Sequence, residues 1–378
     1  MMFYILRNSF SPNTASSNRA LAYYKAMDEM GVDAKIIVLQ PDNKKSRIED
    51  DYKSLKVQYC WSESASNNKV LRRVRYYLNI FRFFKSLRKG DKVYIYGSLP
   101  IIHRLVNKKG IDVYVEVTEH PQIYSLKTRF TGNTLKTAMA DCQKLSGLFV
   151  ISNNLQEFFS SHGVNKDKIH IINMMVDAHR FDNIVKGGEK RYICYCGNGN
   201  NKKDKVDELI KVFKSVSEKF QDVSLYIIGP KQQVYKNEQD NVELVKKLGL
   251  QDCVFFTGVL PASEIPQMLV NAELLALDRP DTLQNRAGFP TKLGEYLLSG
   301  TPVVATTIGE IPYFLRDGET ALLAQPNNSE DFTQKILWAL EHPEDAKKIG
   351  KKGKQLALAS FNAEIETRKL MSVINYVE

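Results

Sequence analysis

Short apolar segments alternate with amphipathic segments of helical spacing along the chain, and this alternation constrains the fold more than any other feature. In the first half the strand-like segments are FYILRN, AKIIVL, KVYIYG, DVYVEV and GLFVIS. Helical segments such as SSNRALAYYKAMDEMG separate them. Parallel strands need long crossover connections, which helices normally supply. The pattern therefore predicts a parallel sheet covered by helices.

The second half repeats the pattern after a polar, glycine-containing segment at residues 181–191. Its strand-like segments are YICYCG, SLYIIG, VFFTG, ELLALD and PVVAT. We predict an α/β protein with two doubly wound, Rossmann-like domains at residues 1–185 and 186–358, and a C-terminal helix at 359–378 that crosses back to the first domain. Ligands of such sheets bind at the carboxyl ends of the strands, so we expect the two domains to face each other across a binding cleft.

Composition narrows the class of protein. The chain has 378 residues, of which 43% are hydrophobic and 25% charged, as in soluble globular proteins. It contains no apolar run of about 18 residues, which a membrane-spanning helix needs, and MMFYILRNSF becomes polar too soon for a signal peptide. The five cysteines fit no metal or disulfide spacing, so we expect core thiols and a cytoplasmic protein. A net charge of +10 favours anionic partners.

Residues 287–312, AGFPTKLGEYLLSGTPVVATTIGEIP, carry the clearest chemical signal. Pro290 fits the first turn of a helix, and Gly300 ends that helix before a buried strand. The N–H groups at a helix N-terminus attract anions, and Lys292 adds a positive charge there, which together suit a diphosphate. Glu295 lies one turn further along, where its carboxylate can accept hydrogen bonds from the vicinal hydroxyls of a ribose. The same Lys–Glu spacing also fits an ordinary surface ion pair.

A second loop, CGNGNNKKDK at residues 196–205, follows a predicted strand and precedes a predicted helix. Its glycines allow close approach of a phosphate, and its lysines add positive charge. An ordinary turn explains the same residues. The segment TTIGEIP is a third strand-to-helix turn at the same predicted edge of the sheet.

The segment GFPTKLGEYLLSGTPVVATTIGEIPYFLRDGETALLAQPNNSEDF resembles the donor-binding signature of the retaining GT-B glycosyltransferases of glycosyltransferase group 1, family four. KLGLQDCVFFTGVLPASEIPQMLVNAELLAL and GVNKDKIHIINMMVDAHRF resemble further parts of that family. The resemblance implies the GT-B fold and a hexosyltransferase that moves a sugar from a nucleotide-diphosphate donor to a glycan acceptor with retention of configuration. We expect no cofactor and no essential metal, since no Asp-x-Asp motif follows a suitable strand.

The resemblance also assigns donor-site roles. The family often has two glutamates separated by seven residues; Glu295 is the second, whereas Ala287 occupies the place of the first. The sugar contacts must then come from backbone N–H groups after Ala287 or from the polar segment at residues 278–286. Arg279 either replaces a guanidinium that the family places at Asn198, or pairs with Asp278 or Asp281. The predicted donor-binding residues are Gly197, Asn198, Lys203, Lys205, Arg279, Gly288, Phe289, Pro290, Thr291 and Glu295.

The acceptor side is assigned to the first domain. Ala15, Ser16 and Ser17 stand where relatives often have a Gly-Gly turn, and Ser16 or Ser17 is expected to cap the following helix. Relatives place a histidine at the position of His120 that reaches the reacting sugar, although a structural role would also explain a histidine there. With Glu119 beside it as an orienting group, the predicted catalytic residues are His120, Lys292 and Glu119.

Residues 71–90, LRRVRYYLNIFRFFKSLRKG, contain seven basic residues and no acid. Drawn as one helix, Arg75, Arg82 and Lys89 share a stripe with Lys85 alongside, and apolar residues cover a broad other side. This pattern fits an anionic membrane surface, and it also fits a helix that wraps the sheet and has a solvated basic face. We expect an enzyme on the inner face of the cell membrane that extends a polyprenyl-diphosphate-linked glycan in surface polysaccharide synthesis.

Two other classes stay open from the sequence: a nucleotide-sugar epimerase of the same fold and a polyanion-binding protein without enzymatic activity. The epimerase would need acid and base carboxylates that the sequence does not place. A nucleic-acid partner is not expected, because no nucleic-acid-binding module is present. A dinucleotide oxidoreductase would need a glycine fingerprint after the first strand, which is missing.

Overall fold

A computed structural model describes residues 1–6, 10, 14–39, 55–60, 69–97, 102–103, 105–122, 135–230 and 240–374. The chain forms two compact units, Met1–Met175 with Ala363–Glu378, and Val176–Asn362. Each contains one parallel sheet with helices, which is the predicted pair of Rossmann-like domains.

The sheet of the first unit has seven strands in the order β3-β2-β1-β4-β5-β6-β7. The strands are β1 (Met2–Leu6), β2 (Ala34–Val38), β3 (Val57–Tyr59), β4 (Lys92–Tyr96), β5 (Asp112–Val117), β6 (Gly147–Val150) and β7 (Ile169–Ile171). The helices that precede or separate them include α1 (Ala15–Glu29), α2 (Lys69–Ser86), α3 (Leu135–Cys142) and α4 (Asn153–Ser161), with a 3-10 turn at Lys166–Lys168. Central strands are buried on both faces, which is why their sequences are continuously apolar.

The sheet of the second unit has six strands in the order β10-β9-β8-β11-β12-β13. The strands are β8 (Arg191–Cys196), β9 (Val223–Ile228), β10 (Val254–Gly258), β11 (Leu274–Leu277), β12 (Val303–Thr306) and β13 (Leu322–Ala324). The helices are α5 (Asn201–Asp204), α6 (Val206–Lys219), α7 (Asn241–Lys247), α8 (Ile265–Asn271), α9 (Leu283–Ala287), α10 (Thr291–Ser299), α11 (Ile311–Phe314), α12 (Ser329–Glu341) and α13 (Pro343–Ser360), and a 3-10 helix spans Ala178–Phe181.

The last helix, α14 (Ala363–Val373), belongs to the first unit. Its Leu370 and Met371 are buried in the same core as Tyr23 and Met27 of α1. Glu366 accepts hydrogen bonds from the backbone N–H of Asn173 at 2.8 Å and from its side-chain amide at 3.1 Å. The chain therefore returns to its first sheet after completing the second unit.

A buried ion pair lies in the core of the first unit. Arg19 of α1 donates from Nε to Oε1 of Glu116 in β5 at 2.5 Å, and their side chains are 3% and 0% exposed. Glu116 also accepts from the hydroxyl groups of Tyr94 at 2.8 Å and Tyr23 at 3.3 Å. Arg19 donates in addition to the carbonyl of Asn173 at 3.0 Å. The pair thus connects α1, β5 and the segment after β7.

Three boundaries differ from those drawn on the sequence. The division between the units falls after Met175, ten residues before the predicted 185, because Val176 already pairs with Asn362 in the second unit. Helix α13 continues to Ser360, so the C-terminal helix starts at Ala363 and not at 359. Helix α2 ends at Ser86, so Lys89 does not belong to the stripe of Arg75 and Arg82.

Candidate functional site

The strand order of the second sheet reverses between β8 and β11, which are neighbours. At such a switch point the loops after the two strands diverge and leave a crevice at the carboxyl edge of the sheet. Here the loop after β8 leads from Gly197 into α5, and the loop after β11 begins with Asp278 and Arg279. The predicted phosphate residues of both segments therefore lie at one end of one sheet.

Four side chains meet at this edge. Lys292, in the first turn of α10, forms an ion pair with Asp204 at the end of α5 and donates to the hydroxyl of Tyr195 at 3.1 Å. Tyr195 donates in turn to Oδ2 of Asp204 at 2.8 Å. Nε of Arg279 lies 3.4 Å from Oδ1 of the same carboxylate. One carboxylate thus contacts both cations.

Burial within this cluster is uneven. The side chains of Asp204 and Arg279 are 2% and 3% exposed, whereas that of Lys292 is 20% exposed. Burial lowers the pKa of Lys292, and Asp204 offsets part of that effect. Burial alone would raise the pKa of Asp204, but Lys292 and Arg279 outweigh it and hold the pKa below its ordinary value. Asp204 and Lys292 therefore each favour the charged form of the other.

Gly197 permits the close packing of this cluster. A Cβ at this position would overlap the Lys292 ammonium group and the Tyr195 hydroxyl. The following turn is held by Asn200, whose side chain caps α5 by accepting from the N–H groups of Lys202 and Lys203 at 2.9 and 3.1 Å. Gly197 thus lets the Lys292 and Tyr195 side chains approach the backbone just after β8, as expected for a loop that approaches a ligand closely.

Glu295, the predicted ribose-binding residue, forms an ion pair with Arg180 of the 3-10 helix Ala178–Phe181. Arg180 also donates to the carbonyl of Ala262 at 3.0 Å. Both charged side chains are about one quarter exposed, at 25% and 23%. The partner of Glu295 is therefore a residue that sequence reasoning did not identify, since Arg180 lies 115 positions away.

The segment before α10 contains a helix cap and residues of the core. Pro290 is the N-cap residue of α10, which begins at Thr291, one residue later than predicted. Phe289 is buried and packs against Phe314 and Phe361, with ring centroids 5.5 and 5.4 Å away, so its side chain belongs to the core. Gly288 is buried as well. The contribution of their backbone N–H groups to sugar binding stays a prediction.

Ala287, which stands in place of the family's first glutamate, is fully buried. A different carboxylate, that of Glu310, lies in the turn after β12. Glu310 is 3% exposed and immediately follows Gly309. A Cβ on Gly309, whose φ is +62°, would meet the carbonyl oxygens of Asn285 and Gly288 at 2.5 and 2.9 Å. The turn after β12 therefore packs directly against the segment that lacks the glutamate.

The other residues predicted for the donor site have different surroundings. Arg279 contacts Asp204, and Asp281 pairs with Arg286. Asn198 is exposed and its side chain accepts from Asn200 N–H at 3.3 Å. Lys205 joins α5 to α6 with a φ of +41°. Burial raises the pKa of the nearby Asp278 carboxyl to about 7, and the charge of Lys205 offsets only part of that rise.

Lys203 is tied to the crevice through its backbone. Its carbonyl accepts from Nδ2 of Asn285 at 3.0 Å, and the same Nδ2 donates to the carbonyl of Pro280 at 2.9 Å. Asn285 thus fastens the loop after β8 to the loop after β11. Sequence reasoning missed Asp204, Tyr195 and Asn285, and the only signal for Asp204 was a lone acid within a run of lysines.

In the first unit, His120 follows β5 and is 3% exposed. Its ring packs edge-on against Phe158 with centroids 4.3 Å apart. Burial and the nearby His162 lower its pKa, and its Nδ1 accepts from the N–H of Gln122 at 3.3 Å, so the neutral imidazole carries its proton on Nε2. Glu119 is half-buried beside it. The sugar contact of His120 stays a prediction.

The expected capping by Ser16 or Ser17 is wrong. Helix α1 already begins at Ala15, so the cap is Thr14, whose Oγ1 accepts from Ser17 N–H at 3.3 Å. Ser17 is buried in the first turn, and its Oγ accepts from the Thr14 hydroxyl at 2.7 Å. Ala15 and Ser16 remain partly or fully accessible at the helix start.

The part of the chain that the structure describes contains neither a metal-binding cluster nor a membrane-spanning helix. Among these residues, no group of three His, Cys, Asp or Glu side chains is placed to hold a metal ion. None of the helices described there is both long and apolar enough to cross a membrane.

Residues 177–356 match the family model described as glycosyl transferases group 1. Among curated relatives, trehalose synthase of Pyrococcus horikoshii is 26% identical over 175 residues, which is 44% of this chain and 40% of the relative. The MMP alpha-(1->4)-mannosyltransferase of Mycolicibacterium hassiacum is 24% identical over 216 residues, 57% of this chain and 50% of the relative. The chain thus spans half or less of the length of these two relatives.

Solved structures resemble the chain over nearly its whole length. Sucrose-phosphate synthase from Thermosynechococcus elongatus has a TM-score of 0.76 at 14% identity and covers 99% of this chain and 98% of its own. Anabaena Alr3699/HepE, in complex with UDP and glucose, has a TM-score of 0.74 at 15% identity and covers 100% and 99%. At such identities the likeness shows the fold, which is GT-B as predicted.

Proposed function

We propose, from the premise that residues 177–356 belong to the glycosyl transferases of group 1, that the chain transfers a hexosyl group from a nucleotide-diphosphate sugar to a glycan acceptor. The observation that carries the proposal is the position of Lys292. Its ammonium group lies in the first turn of α10, at the switch point of the second sheet, with Arg279 on the same carboxylate. The Anabaena neighbour, solved with UDP and glucose, supports a nucleotide-sugar donor.

The chemistry that follows is charge stabilisation at the leaving diphosphate. When the bond between the anomeric carbon and the phosphate oxygen breaks, negative charge grows on the diphosphate, and a fixed cation with a helix N-terminus stabilises it most in that state. For retention we propose that the acceptor hydroxyl attacks on the face from which the diphosphate leaves. A phosphate oxygen then takes the hydroxyl proton, and no protein nucleophile takes part.

A donor screen with release of nucleoside diphosphate as the readout tests the proposal. Lys292→Ala should lower kcat by roughly 10²–10³-fold, the usual cost of losing one charge-stabilising donor. Lys335→Ala is a matched control, since that lysine pairs with Asp317 in the same unit. Wild-type turnover by Lys292→Ala, with unchanged donor KM, would refute the donor site. Thermal shifts with NAD or single-stranded DNA, and none with UDP or GDP, would favour the other classes.

The finer part of the proposal concerns the acceptor and the cellular location of the enzyme. Helix α2 buries Ile80, Phe83 and Phe84 in the first unit. It leaves a second set of large apolar side chains about half exposed or more, from 48% at Leu78 to 71% at Val70: Val70, Leu71, Val74, Tyr77, Leu78 and Phe81. Their spacing of three, four and seven residues puts them on one face. Such an exposed apolar face marks a binding surface.

The charges beside this face favour an anionic lipid surface. Arg75, Arg82 and Lys85 are exposed on α2, and Lys89 is exposed just beyond its end. A second copy docking the same face symmetrically would bring like charges together, whereas each basic residue near an anionic bilayer contributes about 1 kcal/mol. We therefore propose a peripheral enzyme on the cytoplasmic leaflet whose acceptor is a polyprenyl-diphosphate-linked glycan for surface polysaccharide.

Vesicle flotation distinguishes a membrane-binding face of α2 from a face that is only exposed to water. Wild-type protein should float with phosphatidylglycerol vesicles and less so at high salt. Leu78→Ser with Phe81→Ser, and separately Arg75→Glu with Arg82→Glu, should stay in the bottom fraction. Lys348→Glu with Lys351→Glu is the control, since these exposed lysines of α13 give the same change of net charge. Equal flotation of all four proteins would remove the membrane role.

A further inference from the structure

The carboxylate of Asp204 lies against both cations that the proposed donor site would offer to an anion. It contacts the Lys292 ammonium group directly, and its other oxygen lies 3.4 Å from Arg279 Nε. Tyr195 fixes it by a hydrogen bond of 2.8 Å. Asp204 itself is carried at the end of a four-residue helix whose start is capped by Asn200. The acid is therefore held by the loop that begins at the close-packed Gly197.

The charge balance explains why an acid is needed there. Two cations at one buried edge of a sheet would repel each other and would lower the pKa of the lysine. Arg279 does lower the pKa of Lys292, and burial lowers it further, while Asp204 raises it. One carboxylate between two cations leaves a surplus of one positive charge. Asp204 thus opposes the lowering of the Lys292 pKa, and the cluster with both cations charged still attracts an anion.

The two cations differ in freedom. The backbone of Arg279 is fixed to Thr306, whose hydroxyl accepts from Arg279 N–H and donates to its carbonyl, both at 2.9 Å. The Arg279 side chain is almost fully buried, whereas that of Lys292 is one-fifth exposed. Lys292 is thus the cation that can turn from Asp204 toward a ligand, and Arg279 remains with the carboxylate.

We propose that Asp204 is a positioning residue: in the donor-free protein it holds the Lys292 ammonium group charged and aimed at the crevice, and it yields that group to the donor diphosphate while Arg279 keeps the carboxylate neutralised. The identity of the ligand rests on the proposed function, whereas the effect of Asp204 on the Lys292 amine does not. Removing Asp204 should therefore affect the amine of Lys292 even in the absence of any donor.

The test measures the amine directly. Lys292 is labelled competitively with acetic anhydride across pH in donor-free protein and followed by mass spectrometry. In Asp204→Asn the labelling midpoint of Lys292 should move to lower pH, because the groups left facing the amine are Arg279, Tyr195 and Cys196. Asp204→Glu should restore the wild-type midpoint in part. An unchanged midpoint in Asp204→Asn would overturn the proposal.

Kinetics provide the second readout. Asp204→Asn should lower kcat by about tenfold or more and change donor KM little, and the alkaline limb of its pH–rate profile should move to lower pH. In a Lys292→Met background the same change should cost much less, since the two side chains act as one unit. Equal losses in both backgrounds would contradict positioning.

The controls separate the possible failures. Glu366→Gln removes a buried, hydrogen-bonded carboxylate in the other unit and should leave the Lys292 midpoint unchanged. If Asp204→Asn and Asp204→Ser both fail to fold while Glu366→Gln folds, Asp204 serves stability alone and the proposal is overturned. A shifted midpoint with no turnover of any nucleotide sugar would sustain this inference and refute the proposed function.

Discussion

Arg19→Met should destabilise the first unit by about 3–5 kcal/mol, the cost of breaking a buried pair by removing one partner. The structure explains why the cost lies in this range. The Glu116 carboxylate is 0% exposed, so it cannot regain water. Among the residues that the structure describes, the hydrogen-bond donors left to it after the substitution are the hydroxyls of Tyr94 and Tyr23, at 2.8 and 3.3 Å. Methionine fills most of the volume, so the loss reports charge and not a cavity.

Urea unfolding at 25 °C gives the free energy, and hydrogen exchange locates it. Peptides from β4 and β5 should lose protection in Arg19→Met, while peptides from β8 and β11 should not. Arg191→Met is the matched control, because its pair with Asp222 is exposed at 35% and 61% and should be worth under about 1 kcal/mol. Adding Glu116→Gln to Arg19→Met should recover part of the loss. A cost of Arg19→Met no larger than that of Arg191→Met would refute the reasoning.

Three further predictions concern single residues. Arg180→Met should raise the Kd for nucleoside diphosphate several-fold in titration calorimetry, because Glu295 loses the ion pair that orients its carboxylate. An unchanged Kd would mean that this orientation does not matter for binding. His120→Ala should reduce transfer while nucleoside diphosphate binding, which we assign to the other unit, stays intact; lost binding would contradict that assignment. Burial raises the pKa of Asp278 to about 7. Between about pH 4 and 7 the Asp278 carboxyl therefore holds its proton only in the folded state. Its contribution to the free energy of unfolding then falls as pH rises, by about 1.4 kcal/mol per pH unit. Asp278→Asn should flatten this decline in urea unfolding, and an unaltered slope would contradict the raised pKa.

The alternation of apolar strands and helices was enough to predict both sheets, because strands buried on both faces leave an unambiguous pattern. Lys292 and Glu295 could be singled out as candidates, since helix start signals and charge stood within six residues of each other. Their partners were not, because Asp204 is 88 positions from Lys292 and Arg180 is 115 from Glu295. Spacing along a chain reveals neighbours on one helix, whereas packing of distant loops leaves no periodic trace.

Smaller errors have local causes. Thr14 and Ser17 are both good capping residues, and the choice between them depends on which residue first leaves the extended conformation; here Thr14, with φ −102° and ψ 140°, is that residue. Helix α2 was drawn too long because Arg88 and Lys89 continue its basic composition. The exposed apolar face of α2 was only partly anticipated: a broad apolar side was predicted, but Leu78 and Phe81 were not singled out.

The return of α14 to the first sheet sets the order in which the protein can be completed during synthesis. Leu370, Met371 and Ile374 fill the core around α1, yet the ribosome makes them only after all of Val176–Asn362. The second unit can therefore fold as a continuous stretch, while the first waits with part of its core open to solvent. A nascent chain stalled before residue 363 should accordingly present chaperones with the apolar surface of α1, and one released after residue 374 should not.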